Sequence, residues 1–261
     1  VAIFYFFSKG RKREIIVTEP IPYIWNAQFQ KELNSFVTQA NHKDVLVIYG
    51  PSGVGKTRGL QIYQSYLQSR DCLTFDFDLK ILSKFATIKD FVQFMNLQII
   101  TSLKSFDGKM KQNQDVLKSI KLVEALTSIE QPIKDINQIT KDPLLQRLIQ
   151  ALFCITETMK TKPEIALRSL FESFDALEPL SPVVIVHNIN HLLQMQDDSV
   201  KGIFNLFWRI CDEFSNEYRS LPIIVEISDQ APILRQSMKE TIRMFRVDEF
   251  SFEDAKKALV D

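Results

Sequence analysis

The chain has 261 residues, of which 45% are hydrophobic and 25% are charged. These proportions are typical of globular proteins and exclude a wholly disordered chain or a collagen-like fibre. Lys and Arg together number 32, as do Asp and Glu, so the net charge is zero. Nucleic-acid binding is not expected from this segment, because no global positive field would attract a polyanion.

The first residues, 1–7, are apolar and are followed at once by the basic cluster Lys9–Arg13. Seven residues are too few to cross a bilayer, which needs about 20. They do have the composition of the end of a spanning helix with a positively charged flank. A short apolar strand or an irregular end is the alternative. We expect residues 1–19 to be a juxtamembrane segment, with a membrane anchor upstream of residue 1.

The spacing of apolar residues predicts an alternation of helices and strands from residue 25 onward. Strands are predicted at Val45–Tyr49, Cys72–Phe77, Val183–Val186, Pro222–Ile227 and Met244–Val247. Helices are predicted at 25–37, 58–68, 199–218 and 232–241, with a further helix opening at Ser251, and residues 88–178 are mostly helical. This alternation predicts an α/β fold with a five-stranded, mainly parallel sheet flanked by helices and a helical insertion between the second and third strands.

Residues 50–57 carry the most specific motif, Gly-Pro-Ser-Gly-Val-Gly-Lys-Thr, which matches the phosphate-binding pattern G-x-x-x-x-G-K-[ST] in full. The glycines permit positive φ angles, so backbone N–H groups can close around phosphate oxygens. The Lys56 ammonium is expected to reach the β- and γ-phosphates, and the Thr57 hydroxyl to bind Mg²⁺. The residues predicted to contact the nucleotide are Gly50, Pro51, Ser52, Gly53, Val54, Gly55, Lys56, Thr57 and Arg58.

This loop, the order of the strands and the closing segment Phe250–Leu259 resemble P-loop ATPases of the AAA+ and STAND class, in particular their archaeal-ATPase and origin-recognition-like branch. The resemblance covers residues 20–261. It implies a three-layer P-loop NTPase core at residues 20–249, with ATP or ADP and Mg²⁺ as cofactors. It also implies that residues 250–261 begin a helical lid that continues beyond the chain.

The chain departs from that family after its third strand. The family places there an Asp that supports Mg²⁺ and a Glu that polarises the attacking water, whereas this chain has His187 and Asn188. This is a degenerate Walker B motif, because Mg²⁺ prefers carboxylate oxygens and an amide is a poor base. The acids considered as substitutes are Asp76, Asp78, Asp197 and Asp198.

Other site residues are implied by the resemblance. Ser228 or Asp229 falls at the family's sensor position, although either could be an ordinary strand-end or capping residue. A γ-phosphate-sensing or intersubunit arginine would be Arg235, Arg243 or Arg246, with a solvated surface charge as the alternative. The weak catalytic candidates are Asn188, Asp76 and Ser228.

These features predict an ATP-binding, membrane-anchored switch or scaffold with weak or no hydrolysis, acting with a protein partner or a second copy of itself. An active ATPase motor with a non-standard carboxylate and a P-loop kinase remain open as alternatives. The three cysteines, Cys72, Cys154 and Cys211, have no CxxC spacing. They are expected to be buried free thiols, which indicates a reducing compartment. Together with the expected membrane anchor, this predicts a domain on the cytosolic or matrix side of a membrane.

Overall fold

The computed structural model describes residues 27–39, 44–106, 143–175, 177, 180–217, 221–227 and 242–248. Several predictions fall outside the described residues: the juxtamembrane segment 1–19, Ser228, Asp229, Arg235, the helix at 232–241 and the lid at 250–261.

Five strands form one sheet in which every neighbouring pair is parallel. They are β1 (Val45–Tyr49), β2 (Thr74–Asp78), β3 (Val183–His187), β4 (Ile223–Glu226) and β5 (Ile242–Arg246), in the spatial order β2-β3-β4-β1-β5. A parallel sheet is normally covered on both faces, so its inner strands need apolar side chains on both sides. The near-continuous apolar runs of β1, β3 and β4 meet this requirement.

Six helices accompany the sheet in the described ranges. They are α1 (Ala27–Val37), α2 (Lys56–Ser69), α3 (Ile88–Ser105), α4 (Pro143–Phe153), α5 (Pro163–Asp175) and α6 (Asp198–Glu217). A π-helical segment, Cys154–Thr158, continues α4, and short 3₁₀ helices follow β2 at Leu79–Ile81 and β3 at Ile189–Gln194. None of the described helices combines the length and the apolar content that crossing a membrane requires.

The alternation of side chains along the strands divides the core into two layers. Leu46 and Ile48 of β1 pack with α1 and α2, and Val47 packs with α3 to α6 on the opposite face. The sheet is therefore the middle of three layers, and the predicted α/β fold class is confirmed. The helical insertion between the second and third strands is also present, as α3, α4 and α5.

Some details differ from the sequence-based prediction. β2 begins at Thr74 rather than at Cys72, and α2 begins at Lys56, two residues earlier than the apolar spacing indicated. The cysteines are free, but only Cys72 and Cys211 are buried, while Cys154 is half-buried.

The path of the chain places the phosphate-binding motif at a reversal of direction in the sheet. From the end of β1, α2 carries the chain across one face to β2 at the sheet edge. From β2 the strands then step back through β3 and β4 towards β1. In open α/β sheets, ligands bind beyond the carboxyl ends of the strands at such a reversal. The amino end of α2 and the ends of β3 and β4 meet there.

Candidate functional site

The loop between β1 and α2 has the backbone that the motif predicts. Gly50, Gly53 and Gly55 all have positive φ angles, of 147°, 87° and 84°. Two different constraints apply. A Cβ atom on Gly50 would lie 2.1 Å from the carbonyl oxygen of Val247, whereas one on Gly53 would meet nothing within 4 Å. Gly50 is therefore required by close backbone approach, and Gly53 by its φ angle.

Positive charge is concentrated inside the loop. The Lys56 side chain is buried, and its Nζ donates hydrogen bonds to the carbonyl oxygens of Gly50 (2.8 Å) and Pro51 (2.7 Å). Helix α2 begins immediately after Gly55, which as a glycine provides no side-chain cap. The first N–H groups of a helix have no intrahelical acceptor, and with the positive end of the helix dipole they favour an anion. The loop thus has the donors and the charge for binding phosphate.

The other predicted contact residues surround this centre. Ser52, Gly53 and Arg58 are exposed, Val54 is buried in the core shared with α1 and α2, and Thr57 is half-buried in the first turn of α2.

A carboxylate that sequence reasoning did not single out lies against Thr57. Thr57 Oγ1 donates a 2.6 Å hydrogen bond to Oε1 of Glu226, the last residue of β4. Glu226 is 4% exposed and pairs in register with Ile48 of β1, two residues before the loop begins. The end of β4 therefore supplies a buried acidic group at the residue predicted to bind Mg²⁺.

Glu226 is held on its other side by His187, the last residue of β3. His187 Nδ1 lies 2.5 Å from Glu226 Oε2, and Nε2 lies 3.1 Å from Oδ1 of Asp76 on β2. The second contact is an ion pair without the alignment of a hydrogen bond. A continuous polar row therefore crosses four neighbouring elements, from Thr57 through Glu226 and His187 to Asp76.

The charge state of His187 follows from this row. Burial of the ring lowers its pKa, but its interactions with the two carboxylates, Asp76 and Glu226, outweigh burial and raise the pKa of His187 to about 9. His187 is therefore an imidazolium at neutral pH, a cation between two carboxylates.

Asn188 takes a different role from His187. Its backbone is in the left-handed region, at φ 56° and ψ 38°, and its Nδ2 donates a 2.9 Å hydrogen bond to Oδ1 of Asp78. Asp78 also accepts a hydrogen bond from the backbone N–H of Lys80. Asn188 and Asp78 thus brace the turns that follow β3 and β2, rather than joining the row at Thr57.

The remaining candidate acids and arginines have local partners. Asp197 accepts hydrogen bonds from the backbone N–H groups of Ser199 and Val200 at the start of α6, and Asp198 pairs with Lys201. On β5, Arg243 pairs with Glu32 of α1 at 2.5 Å, and Arg246 pairs with Asp248 at 2.7 Å. Of the acids considered as substitutes, Asp76 is the one that the structure brings into the row.

The signal for Glu226 was present in the sequence. Residues 222–227 read Pro-Ile-Ile-Val-Glu-Ile, so a single acid interrupts an apolar strand. A charged residue inside a buried strand is rarely tolerated unless it is paired. His187, at the end of Val-Val-Ile-Val, gives the same signal.

The hydroxyl oxygen of Thr57 and the carboxylate of Glu226 beside it are the kinds of oxygen group that Mg²⁺ prefers. Mg²⁺ binds through one or two protein oxygens together with phosphate oxygens and waters, and needs no all-protein cage. Within the described residues no group of three or more His, Cys, Asp and Glu side chains is arranged to hold a metal ion. Thr57 and Glu226 beside a phosphate-binding loop match the first pattern rather than a cage.

Comparison with known proteins gives no family assignment. No protein-family model matches the chain, and no curated protein is significantly similar to it. The function must therefore be inferred from the loop Gly50–Thr57 and from the polar row that ends on Thr57.

Proposed function

We propose that this protein is an ATP- or ADP-binding domain of the AAA+/STAND class that uses Mg²⁺ and acts as a nucleotide-dependent switch or scaffold. One observation carries the proposal: a complete phosphate-binding motif lies between β1 and α2, with three positive-φ glycines around the buried ammonium of Lys56. The position of the loop at a direction reversal of a parallel sheet supports the same function.

In this proposal, one set of groups binds the phosphates and another supports the metal ion. Backbone N–H groups of the loop and the amino end of α2 bind the phosphates, and Lys56 neutralises their charge. Mg²⁺, when bound with the nucleotide, supplies further charge neutralisation at the phosphate oxygens. Thr57 offers it a hydroxyl ligand, and the rest of the polar row positions that hydroxyl.

Weak hydrolysis is the expected catalytic behaviour. A water-polarising carboxylate must have an oxygen available to accept a proton from water. His187 and Asn188 supply no carboxylate at the end of β3, and the oxygens of Glu226 already accept hydrogen bonds from Thr57 and His187. The alternative of an active ATPase with a non-standard carboxylate is favoured by one observation, the acidic group of Glu226 at Thr57.

Partners are part of the proposal. Membrane attachment rests on the sequence of residues 1–13, which the structure does not describe, and is tested by sedimenting the native protein with membranes.

Nucleotide-dependent association rests on the arginines of β5. Arg246 is exposed, with its ion pair to Asp248 at the surface. Sedimentation velocity with and without ATP, on the natural chain and on Arg246→Ala, tests whether this arginine meets a neighbour.

Nucleotide binding itself is tested by thermal unfolding. At a hundredfold excess over the dissociation constant, a ligand stabilises the folded state by about 2.7 kcal/mol. Mg·ATP or Mg·ADP should raise the melting temperature of the natural protein, and Lys56→Ala should remove most of the shift. Lys201→Ala is the matched control, because the Lys201 side chain forms an ion pair with Asp198 at the surface. If saturating nucleotide leaves the melting temperature of the natural protein unchanged, the proposal is refuted.

A further inference from the structure

We infer that Glu226 on β4 is the carboxylate that supports Mg²⁺ binding at Thr57, and that His187 on β3 is the residue that positions it. The inference deepens the proposed function and rests on it. The resemblance to AAA+ and STAND proteins locates this task on an Asp after the third strand, where this chain has His187 and Asn188. The structure assigns it to the neighbouring strand instead.

The direction of the hydrogen bond between Thr57 and Glu226 carries the first step. A carboxylate can only accept a hydrogen bond, so the Thr57 hydroxyl donates its proton to Glu226 Oε1. The lone pairs of a hydroxyl remain available when its proton is engaged. Glu226 therefore fixes the rotation of the Thr57 hydroxyl, so that its proton faces the carboxylate and its lone pairs can face a cation. Partners of metal ligands commonly have this orienting role.

The burial of Glu226 carries the second step. The side chain is 5% exposed, and a buried carboxylate is retained only when it is paired. Thr57 and His187 provide these partners, at 2.6 and 2.5 Å. The carboxylate at the end of β4 is thus accommodated in the fold beside the loop, where it holds the Thr57 hydroxyl.

The third step concerns His187. Its two ring nitrogens face carboxylates on both neighbouring strands, Glu226 on β4 and Asp76 on β2. By engaging Oε2, His187 leaves Oε1 directed at Thr57. The residue that occupies the family's acidic position therefore holds a carboxylate from the adjacent strand, and touches neither Thr57 nor the loop in the described contacts.

The first experiment measures metal binding rather than turnover. Mn²⁺ is titrated into the 261-residue protein with ADP bound, and free Mn²⁺ is followed by electron paramagnetic resonance. Glu226→Gln should weaken Mn²⁺ binding about 10- to 100-fold, the usual effect of losing a partner of a metal ligand. His187→Gln should weaken it about threefold or more, through loss of positioning. Asp78→Asn removes the same charge from the same sheet edge and should leave the affinity within about twofold.

The second experiment separates this inference from the proposed function. Affinity for a fluorescent ADP analogue is measured in EDTA, where no metal contributes. Glu226→Gln should bind it as tightly as the natural protein, or more tightly because a charge that repels phosphate is gone. A natural protein that fails to bind the analogue with or without Mg²⁺ overturns the proposed function. Normal binding in EDTA with unchanged Mn²⁺ affinity in Glu226→Gln overturns the role of Glu226 alone.

A double-mutant cycle gives a third, independent readout. Because Glu226 acts through Thr57, Thr57→Val and Thr57→Val/Glu226→Gln should have Mn²⁺ affinities within about threefold of each other, as expected for coupled residues. Full additivity of the two losses would mean that the residues act separately and would overturn the inference. Should Glu226→Gln fail to fold, Glu226→Asp keeps the charge but shortens the side chain by one methylene. It should still lower the Mn²⁺ affinity, and an affinity equal to that of the natural protein would count against Glu226.

Discussion

Thr57 and Glu226 are 169 positions apart in the chain, yet the hydroxyl of one donates a 2.6 Å hydrogen bond to the carboxylate of the other. The contact links the first turn of α2 to the last residue of β4. It depends on the parallel pairing of β1 with β4, which brings Glu226 alongside Ile48. Sheet register therefore determines which acid reaches the phosphate-binding loop.

The pH dependence of stability should reveal the contacts of His187. A histidine whose pKa is near 6.5 when unfolded and about 9 when folded stabilises the fold fully below pH 6.5. That contribution is lost as the pH rises from about 6.5 through 9, and amounts to on the order of 3 kcal/mol. Urea unfolding at several pH values should show the decline in the natural protein and a much flatter profile in His187→Gln.

Nuclear magnetic resonance provides a check that needs no variant. The sequence contains three histidines, His42, His187 and His191. One imidazole should titrate near pH 9. If no imidazole titrates near pH 9, the paired arrangement of His187 is not maintained in solution.

Turnover should be slow. Steady-state phosphate release from ATP is expected to stay below about 1 s⁻¹, the lower end of ordinary enzyme rates, because His187 and Asn188 provide no carboxylate at the end of β3. A faster rate would mean that a carboxylate becomes available for the attacking water.

Restoring the family's acidic pair should not create a fast ATPase. In His187→Asp/Asn188→Glu the new aspartate would lie between Asp76 and Glu226, so three carboxylates would share a buried site. The double variant should therefore be less stable than Asn188→Glu alone, as measured by urea unfolding. Equal stability of the two variants would show that the ion pairs of His187 contribute little.

Two glycine substitutions should have opposite effects. Gly50→Ala places a Cβ atom 2.1 Å from the Val247 carbonyl oxygen, so the variant should fold poorly or not at all. Gly202 lies within α6 with open space around it, and Gly202→Ala should stabilise the protein by about 0.5–1 kcal/mol. Circular dichroism melts of the two variants and the natural protein decide the point.

The aromatic core between β2 and α5 should be sensitive to truncation. Phe174 stacks on Phe75 with ring centroids 4.0 Å apart, and both side chains are buried. Phe174→Ala should cost about 3–5 kcal/mol of unfolding free energy. Phe85→Ala is the control, since Phe85 is 72% exposed and its loss should matter by less than about 0.5 kcal/mol.

Local pattern was sufficient to predict the architecture. The apolar runs at 45–49 and 183–186 are typical of buried parallel strands, and both are strands in the structure. The loop between β1 and α2 was predictable for the same reason, because Gly53 acts through its own backbone angle. The boundaries shifted by one or two residues where hydrogen bonding, which apolar spacing does not encode, decides them.

The polar row could not be predicted in the same way. Asp76, His187 and Glu226 come from three strands separated by long stretches of chain, and only the strand order makes them neighbours. The substitute acids considered from the sequence included Asp76, which joins the row, but not Glu226, the acid inside the apolar run of β4. The two-residue alternation along a strand determines which face of the sheet a side chain lies on. It does not determine which strands are neighbours.

The contact between Gly50 and Val247 joins the start of the phosphate-binding loop to the chain leaving β5. Val247 is fully buried, and its backbone N–H donates a 2.8 Å hydrogen bond to the carbonyl oxygen of Tyr49. Main chain packs against main chain here, with no flexible side chain between them to absorb a displacement. Lys56 holds the carbonyl oxygen of the same Gly50. Under the proposed function, phosphate binding would draw Lys56 away from this oxygen, and the change would act on the same residue that packs against Val247.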